Sequence, residues 1–257
     1  MYICKPLCNI FAKLVKKYRN CKKTFNFALE INSQLNMIGI IVAMDKEFAL
    51  MRNSLTNITT DEKDLCIGNT DAGKVVLVKS GIGKVNSTIT ACTMIKEYAP
   101  EYIINSGVAG GIDRSLNVGD VVVGEHTAYH DFYVGDVASQ DELGFPALIP
   151  SDAGLLAKAR EVAKSNPSLK FGLICTGDQF ITNNDALMTI KNKLPEALAV
   201  DMESCSIAHT CHRLGVPFMS IRIISDTPWV DHHAAQYNNF WATAPEKLFD
   251  VVKRLIG

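Results

Sequence analysis

The chain has 257 residues, 47% of them hydrophobic and 21% charged, with a formal net charge of −1. That length suits one large α/β domain or two small ones, and the apolar content allows a sizeable core. A balance so near zero gives no electrostatic reason to expect nucleic acid or a membrane surface as partner, and no run is apolar enough to span a bilayer.

Residues 1–36 break the balance. They hold seven Lys and Arg against the single acid Glu30, a net of +6 that leaves −7 on the remainder. Three readings compete: an upstream start with Met37 the usual first residue, a basic arm, or a targeting peptide. A secretory signal needs an uninterrupted apolar run, and Lys13, Lys16 and Lys17 interrupt it. The expectation is a weakly ordered extension outside the chemistry, followed by one domain over 37–257. Eight cysteines without a CxxC pair suggest small apolar thiols in a reducing, cytoplasmic compartment, and no zinc site.

From Met37 onward, Val- and Ile-rich runs at 38–43, 75–79, 102–106, 121–124, 171–175 and 217–224 read as strands. Apolar periodicity predicts helices over 45–55, 85–98, 153–164, 184–193, 203–214 and 243–256. Residues 57–74 read as a loop with a hairpin turn at Asp71-Ala72-Gly73-Lys74. Residues 134–152 read as an irregular functional loop or subunit contact. Alternating strands and helices predict a three-layer α/β/α sandwich around a mixed sheet.

Ligands of such sheets bind beyond the carboxyl ends of strands. Two glycine-rich stretches lie there, Ser80-Gly81-Ile82-Gly83-Lys84 and Gly107-Val108-Ala109-Gly110-Gly111. Neither has the spacing of a phosphate-binding motif, so each is read as a tight turn. Three acids say more. Glu47, Glu203 and Asp226 each follow an apolar run. One such acid is ordinarily a helix cap; three at one edge, with Phe180 and Met202 nearby, make a pocket. His209 and His212 read as helix residues without further metal ligands, His232-His233 as a solvated loop, and His130-Asp131 as residues that orient the loop behind them.

Six segments in order, IGIIVAMDKE, KSGIGKVN, INSGVAGG, VGDVVVGEHTAYHD, TGDQFI and AVDMES, and then RIISD, resemble the purine nucleoside phosphorylase/nucleosidase superfamily. Within it, the chain is most similar to the 5′-methylthioadenosine/S-adenosylhomocysteine nucleosidases. The resemblance covers residues 37 to about 255. It implies a homodimer that hydrolyses the bond between adenine and a 5′-thio-substituted ribose without metal or organic cofactor.

It also implies roles. Glu203 would bond the ribose hydroxyls and support positive charge on the sugar, and Met202 would pack against it. Asp201, where many relatives have glutamate, would anchor the turn. Asp226, supported by Ser225, would protonate purine N7, and Glu47 would polarise the attacking water. Phe180 would stack on adenine, with Ile181 reading its edge through the backbone. Ser80 and Arg222 would lie near the nucleophile, and Met44 would line the pocket. Tyr237 would cover the 5′ side. Val134, Val137 and Pro146 would reach the neighbouring subunit's 5′-substituent pocket. The rivals are a phosphorylase, a nucleosidase for another 5′-modified nucleoside of the futalosine type, and a binding protein without catalysis. Asp45 and Glu47 would repel phosphate, which argues against the first.

Overall fold

The Val- and Ile-rich runs assemble into one mixed sheet. The computed structural model describes residues 37–133, 144–166, 168–229, 233–243 and 252–254; residues 1–36, Val134 and Val137 lie outside these. Strand β1 (Met37–Val42) is buried along its whole length and runs parallel to β4 (Gly73–Lys79) and β5 (Tyr102–Gly111). A strand covered on both faces is apolar throughout, not alternating. Beyond β4 the sheet continues antiparallel through β3 (Leu65–Thr70) to β2 (Thr56–Asp61).

On its other side β5 forks. It pairs in parallel with β10 (Phe218–Asp226), and its last residues, Gly110 and Gly111, pair antiparallel with β9 (Ala197–Asp201). From β10 the order runs through β6 (Val121–Tyr129) and β8 (Leu169–Thr176) back to β9. These five strands therefore close a ring, whose interior holds Val122, Ile174, Ala199 and Ile224. A two-residue strand β7 (Ile149–Pro150) edges β6.

Helices cover both faces, which gives the three layers. Side chains of a strand alternate between faces. Ile38, Ile40 and Val42 of β1 pack with Phe48 and Met51 of α1 (Asp45–Arg52). The same cluster holds Leu155 of α3 (Ala153–Ala163) and Phe240 of α6 (His233–Thr243). Met37 and Ile41 instead pack with Ala91 and Met94 of α2 (Lys84–Tyr98) and with Cys205 and Cys211 of α5 (Ser204–Leu214). Helix α4 (Asn184–Lys193) sets Leu187 and Ile190 against Leu173 and Cys175 of β8. Cys66, Cys175, Cys205 and Cys211 are buried as free thiols and Cys92 is exposed. Among the described residues no helix is long and apolar enough to cross a membrane.

The structure corrects four expectations. Residues 57–74 contain β2 and β3, with the hairpin joining Thr70 to Gly73; β2 (TNITTD) is exposed at nearly every position, so it carries no apolar alternation to read. The stretch GVAGG is not a turn but the end of β5. Its glycines serve close approach: a Cβ on Gly111 would stand 2.9 Å from Ile224 Cγ2. The run 121–124 continues to Tyr129. Finally, His233 opens helix α6 and does not sit in a loop, and of the helix expected over 243–256 only the end of α6 and residues 252–254 are described, both helical.

Candidate active site

The carboxyl ends of β1, β5, β9 and β10 open onto one cleft, lined by residues at or just past the end of each. The three acids singled out in the sequence all line it.

Glu47 lies in the first turn of α1 and is buried. Its carboxylate turns back toward β1: Oε2 accepts from the backbone N–H groups of Ala43 and Met44, both at 2.9 Å. Oε1 accepts from the Val108 N–H of β5 at 3.0 Å. The cap reading is thus correct, but the same group also faces the cleft. Burial pushes its pKa up, opposed by the Arg222 charge and the three N–H donors, and the balance stays above the ordinary carboxylate value. Gly107 makes room for this packing. A Cβ there would stand 2.5 Å from Arg222 Nη1 and 2.6 Å from Glu47 Oε1.

Asp201 and Glu203 divide their work. Asp201 ends β9, and its Oδ2 lies 2.8 Å from Arg222 Nε. Its Oδ1 accepts from Thr176 Oγ1 at 2.6 Å and from the N–H groups of Glu203 and Ser204, both at 3.2 Å. Asp201 is therefore the anchor of its turn. Glu203 is left facing the cleft, with Oε1 accepting from the Gly83 N–H at 3.0 Å and Oε2 lying 3.5 Å from Arg222 Nη2. Burial raises the Glu203 pKa to about 7, against the pull of Arg222.

The turn SGIGK supplies that Gly83 contact. Gly81 and Gly83 have φ of +81° and +98°, backbone that glycine adopts without strain, so the turn reading holds here. Asp226 ends β10, with Ser225 Oγ 2.7 Å from its Oδ1 and 3.3 Å from the Ala109 carbonyl. The turn beyond it is tied to α6 by the Thr227 N–H, which donates to Gln236 Oε1 at 3.0 Å.

Apolar groups complete the cleft: Met44, Ile181, Met202, Phe180 and Tyr237. Phe180 is 55% exposed and meets Tyr237 edge-on at 5.9 Å between ring centroids. Tyr237 Oη lies 3.5 Å from Met44 Sδ. Arg222 also lines the cleft, as do Val108, Ala109, Gly110 and Gln179, which sequence reading missed. The first three lie in the stretch read as a turn. Its burial within β5 is the signal that was absent.

One expected residue stands apart. Ser80 is not among the cleft's lining side chains; its Oγ lies 2.7 Å from the Gly81 carbonyl and 3.2 Å from that of Val42. Pro146, expected at the neighbouring subunit's pocket, does not line this chain's own cleft, and Val134 and Val137 are outside the described residues. His209 stacks on Phe145 at 4.0 Å between centroids and lies 3.4 Å from Tyr129 Oη, a helix residue with aromatic partners. Among the described residues, no group of three or more His, Cys, Asp or Glu side chains is arranged to hold a metal ion.

An open cleft with carboxylates on its walls and an exposed aromatic at its mouth suits a flat, polar-edged ligand whose reaction creates positive charge. Comparison with known proteins agrees. Residues 37–257 match the family model described as the phosphorylase superfamily. The 5′-methylthioadenosine/S-adenosylhomocysteine nucleosidase of Staphylococcus haemolyticus is 41% identical over 198 residues, covering 74% of this chain and 86% of that one.

Among solved structures, that nucleosidase from S. pneumoniae with the transition-state inhibitor MT-ImmA superposes with a TM-score of 0.79. It is 31% identical, over 86% of this chain and 98% of that one. Futalosine hydrolase of Helicobacter pylori superposes with a TM-score of 0.76 at 26% identity, over 86% and 97%. The chain belongs to the phosphorylase superfamily and, within it, to the 5′-methylthioadenosine/S-adenosylhomocysteine nucleosidase family.

Proposed function

We propose that the protein hydrolyses the N-glycosidic bond of 5′-methylthioadenosine and S-adenosylhomocysteine, releasing adenine and the 5-thio-substituted ribose. Breaking this bond leaves negative charge on the base and positive charge on the sugar. Asp226 gives its proton to purine N7 and makes adenine a better leaving group. Glu203, as an anion, accepts from the ribose hydroxyls and stabilises the oxocarbenium-like sugar. Glu47 takes a proton from the attacking water, the acid-and-base division of an inverting glycosidase. Phe180 stacks on the purine and Met202 packs on the sugar. Tyr237 and Met44 cover the 5′ side.

The observation that carries hydrolysis over phosphorolysis is that the donors a phosphate would need are already engaged. Arg222 is bound to Asp201 and Glu203. The amides of Ala43, Met44 and Val108 serve Glu47. The N-terminus of α2, a natural anion site, gives its Gly83 and Lys84 amides to Glu203 and Asp178. Phosphate would meet carboxylates at each place.

The same reading makes the protein a cytoplasmic homodimer whose functional unit is 37–257. Exposed Val85 and Ile89, four apart on α2, supply an apolar face for a second copy. Pro146 of one copy reaches the other's 5′-substituent pocket. Sedimentation tests the dimer. The reaction is tested by supplying 5′-methylthioadenosine with and without phosphate and separating products. Adenine and free methylthioribose at equal rates in both support hydrolysis; adenine only with phosphate, beside a sugar phosphate, overturns it. Faster cleavage of a futalosine-type nucleoside would move the substrate but not the chemistry.

A further inference from the structure

A second charged cluster braces the mouth of the cleft. Lys84 opens α2, Asp131 lies two residues past β6, and Asp178 lies two residues past β8. Lys84 Nζ stands 2.7 Å from Asp131 Oδ2 and 3.7 Å from Asp178 Oδ2. The Asp178 N–H donates to that same Asp131 oxygen at 2.9 Å, and the Lys84 N–H donates to Asp178 Oδ1 at 2.8 Å. The Asp131 side chain is only 19% exposed. Burial works to raise its pKa, but Lys84 and the Asp178 amide hold it below the ordinary value, so it stays anionic.

Each end of this cluster reaches the cleft. The residue before Lys84 is Gly83, whose amide holds Glu203. Two residues after Asp178 comes Phe180. The strands meet tightly here: a Cβ on Gly177 would stand 2.3 Å from His130 Nε2 and 2.9 Å from Asp131 Cγ. The last rungs, His130 N–H to the Thr176 carbonyl at 3.0 Å and Gly177 N–H to the Asp201 carbonyl at 3.1 Å, lie just before the segment leaves the sheet. The next amide along, Asp178, is received by Asp131.

We propose that Asp131 is a positioning residue for the base-binding side of the cleft. Pinned by Lys84, it fixes the start of the 177–183 segment and so sets Phe180 in register with the turn that holds Glu203. This rests on the reading that Phe180 stacks on adenine.

The test uses Asp131→Ala and Asp131→Asn in the full chain. Hydrogen exchange of the ligand-free proteins is compared with kcat and KM for 5′-methylthioadenosine. Exchange over 178–183 is expected to quicken in Asp131→Ala while β10 stays protected. KM is expected to rise roughly tenfold with kcat within about threefold, the signature of lost uniform binding. Asp131→Asn, which keeps an acceptor, recovers part of both. Unchanged exchange over 178–183 overturns the proposal, as does a loosened segment with unchanged KM. Faster exchange throughout the fold also overturns it, because Asp131 would then be supporting general stability. If the wild type does not cleave 5′-methylthioadenosine, the proposed function fails, and the exchange result alone still decides whether Asp131 holds the segment.

Discussion

Arg222 Nε lies 2.8 Å from Asp201 Oδ2, and both side chains are 1% exposed. This fully buried pair joins β10 to β9 across the ring and leaves Glu203, two residues on, facing the cleft. Removing one partner of a buried pair leaves the other charge poorly compensated, and Arg222 would be left with the more distant Glu203 carboxylate, at 3.5 Å. Asp201→Ala is expected to lower the unfolding free energy by about 3–5 kcal/mol, read by urea titration. A loss below about 1 kcal/mol would mean that Arg222 finds other partners without penalty.

Glu47→Gln tests the base. Its two oxygens accept three backbone N–H groups, whereas a glutamine offers one acceptor oxygen and would set an NH₂ against at least one of those donors. With the proton acceptor also gone, kcat is expected to fall by about 10²–10⁴, while calorimetry still detects binding of a substrate analogue. Near-full turnover would remove Glu47 from the mechanism.

Gly107→Ala tests the space between Glu47 and Arg222. The added methyl would overlap both side chains, and overpacking of this kind costs about 1–3 kcal/mol. We expect a lower melting temperature and a loss of kcat larger than the change in KM. A variant with wild-type turnover would show that both groups can give way without moving the reacting atoms.

Glu203 predicts a pH dependence. Its folded-state pKa, about 7, lies above the ordinary 4.5 because burial disfavours its anion. The anion accepts from ribose hydroxyls through both oxygens and opposes the positive charge on the sugar, so kcat/KM should rise with pH to a plateau past about 7, the free enzyme's titration. In Glu203→Gln that limb should vanish along with most of the activity. The sign for stability is opposite. The folded state binds the proton more tightly, so this group's contribution is full below about 4.5 and is lost as pH rises through about 7. A kcat/KM flat from about pH 5 to 8 would contradict this assignment.

Local pattern was enough where chemistry and local structure coincide. The buried strands announced themselves as apolar runs, and Glu47, Glu203 and Asp226 stood just past three of them. It failed where an element is defined by its neighbours. Polar β2 is a strand only because β3 pairs with it, and Gly107 to Gly111 extend only because β9 and β10 press against them. Nothing in the sequence told Asp201, a turn anchor by its contacts, from Glu203, a cleft wall, by more than a family likeness.

By itself, then, the sequence determined the α/β alternation, the strand ends that carry acids, and the glycines whose positive φ lets the SGIGK turn form. These depend on residues close along the chain, through periodicity and backbone sterics. Only the tertiary structure decided that Glu47, Gly107 and Arg222 share one packed contact, that Asp201 neutralises Arg222, and that Lys84, Asp131 and Asp178 meet at the cleft mouth. Burial and charge pairing act through space, between groups as far apart as β1 and β10, and they exist only once the ring of strands has closed.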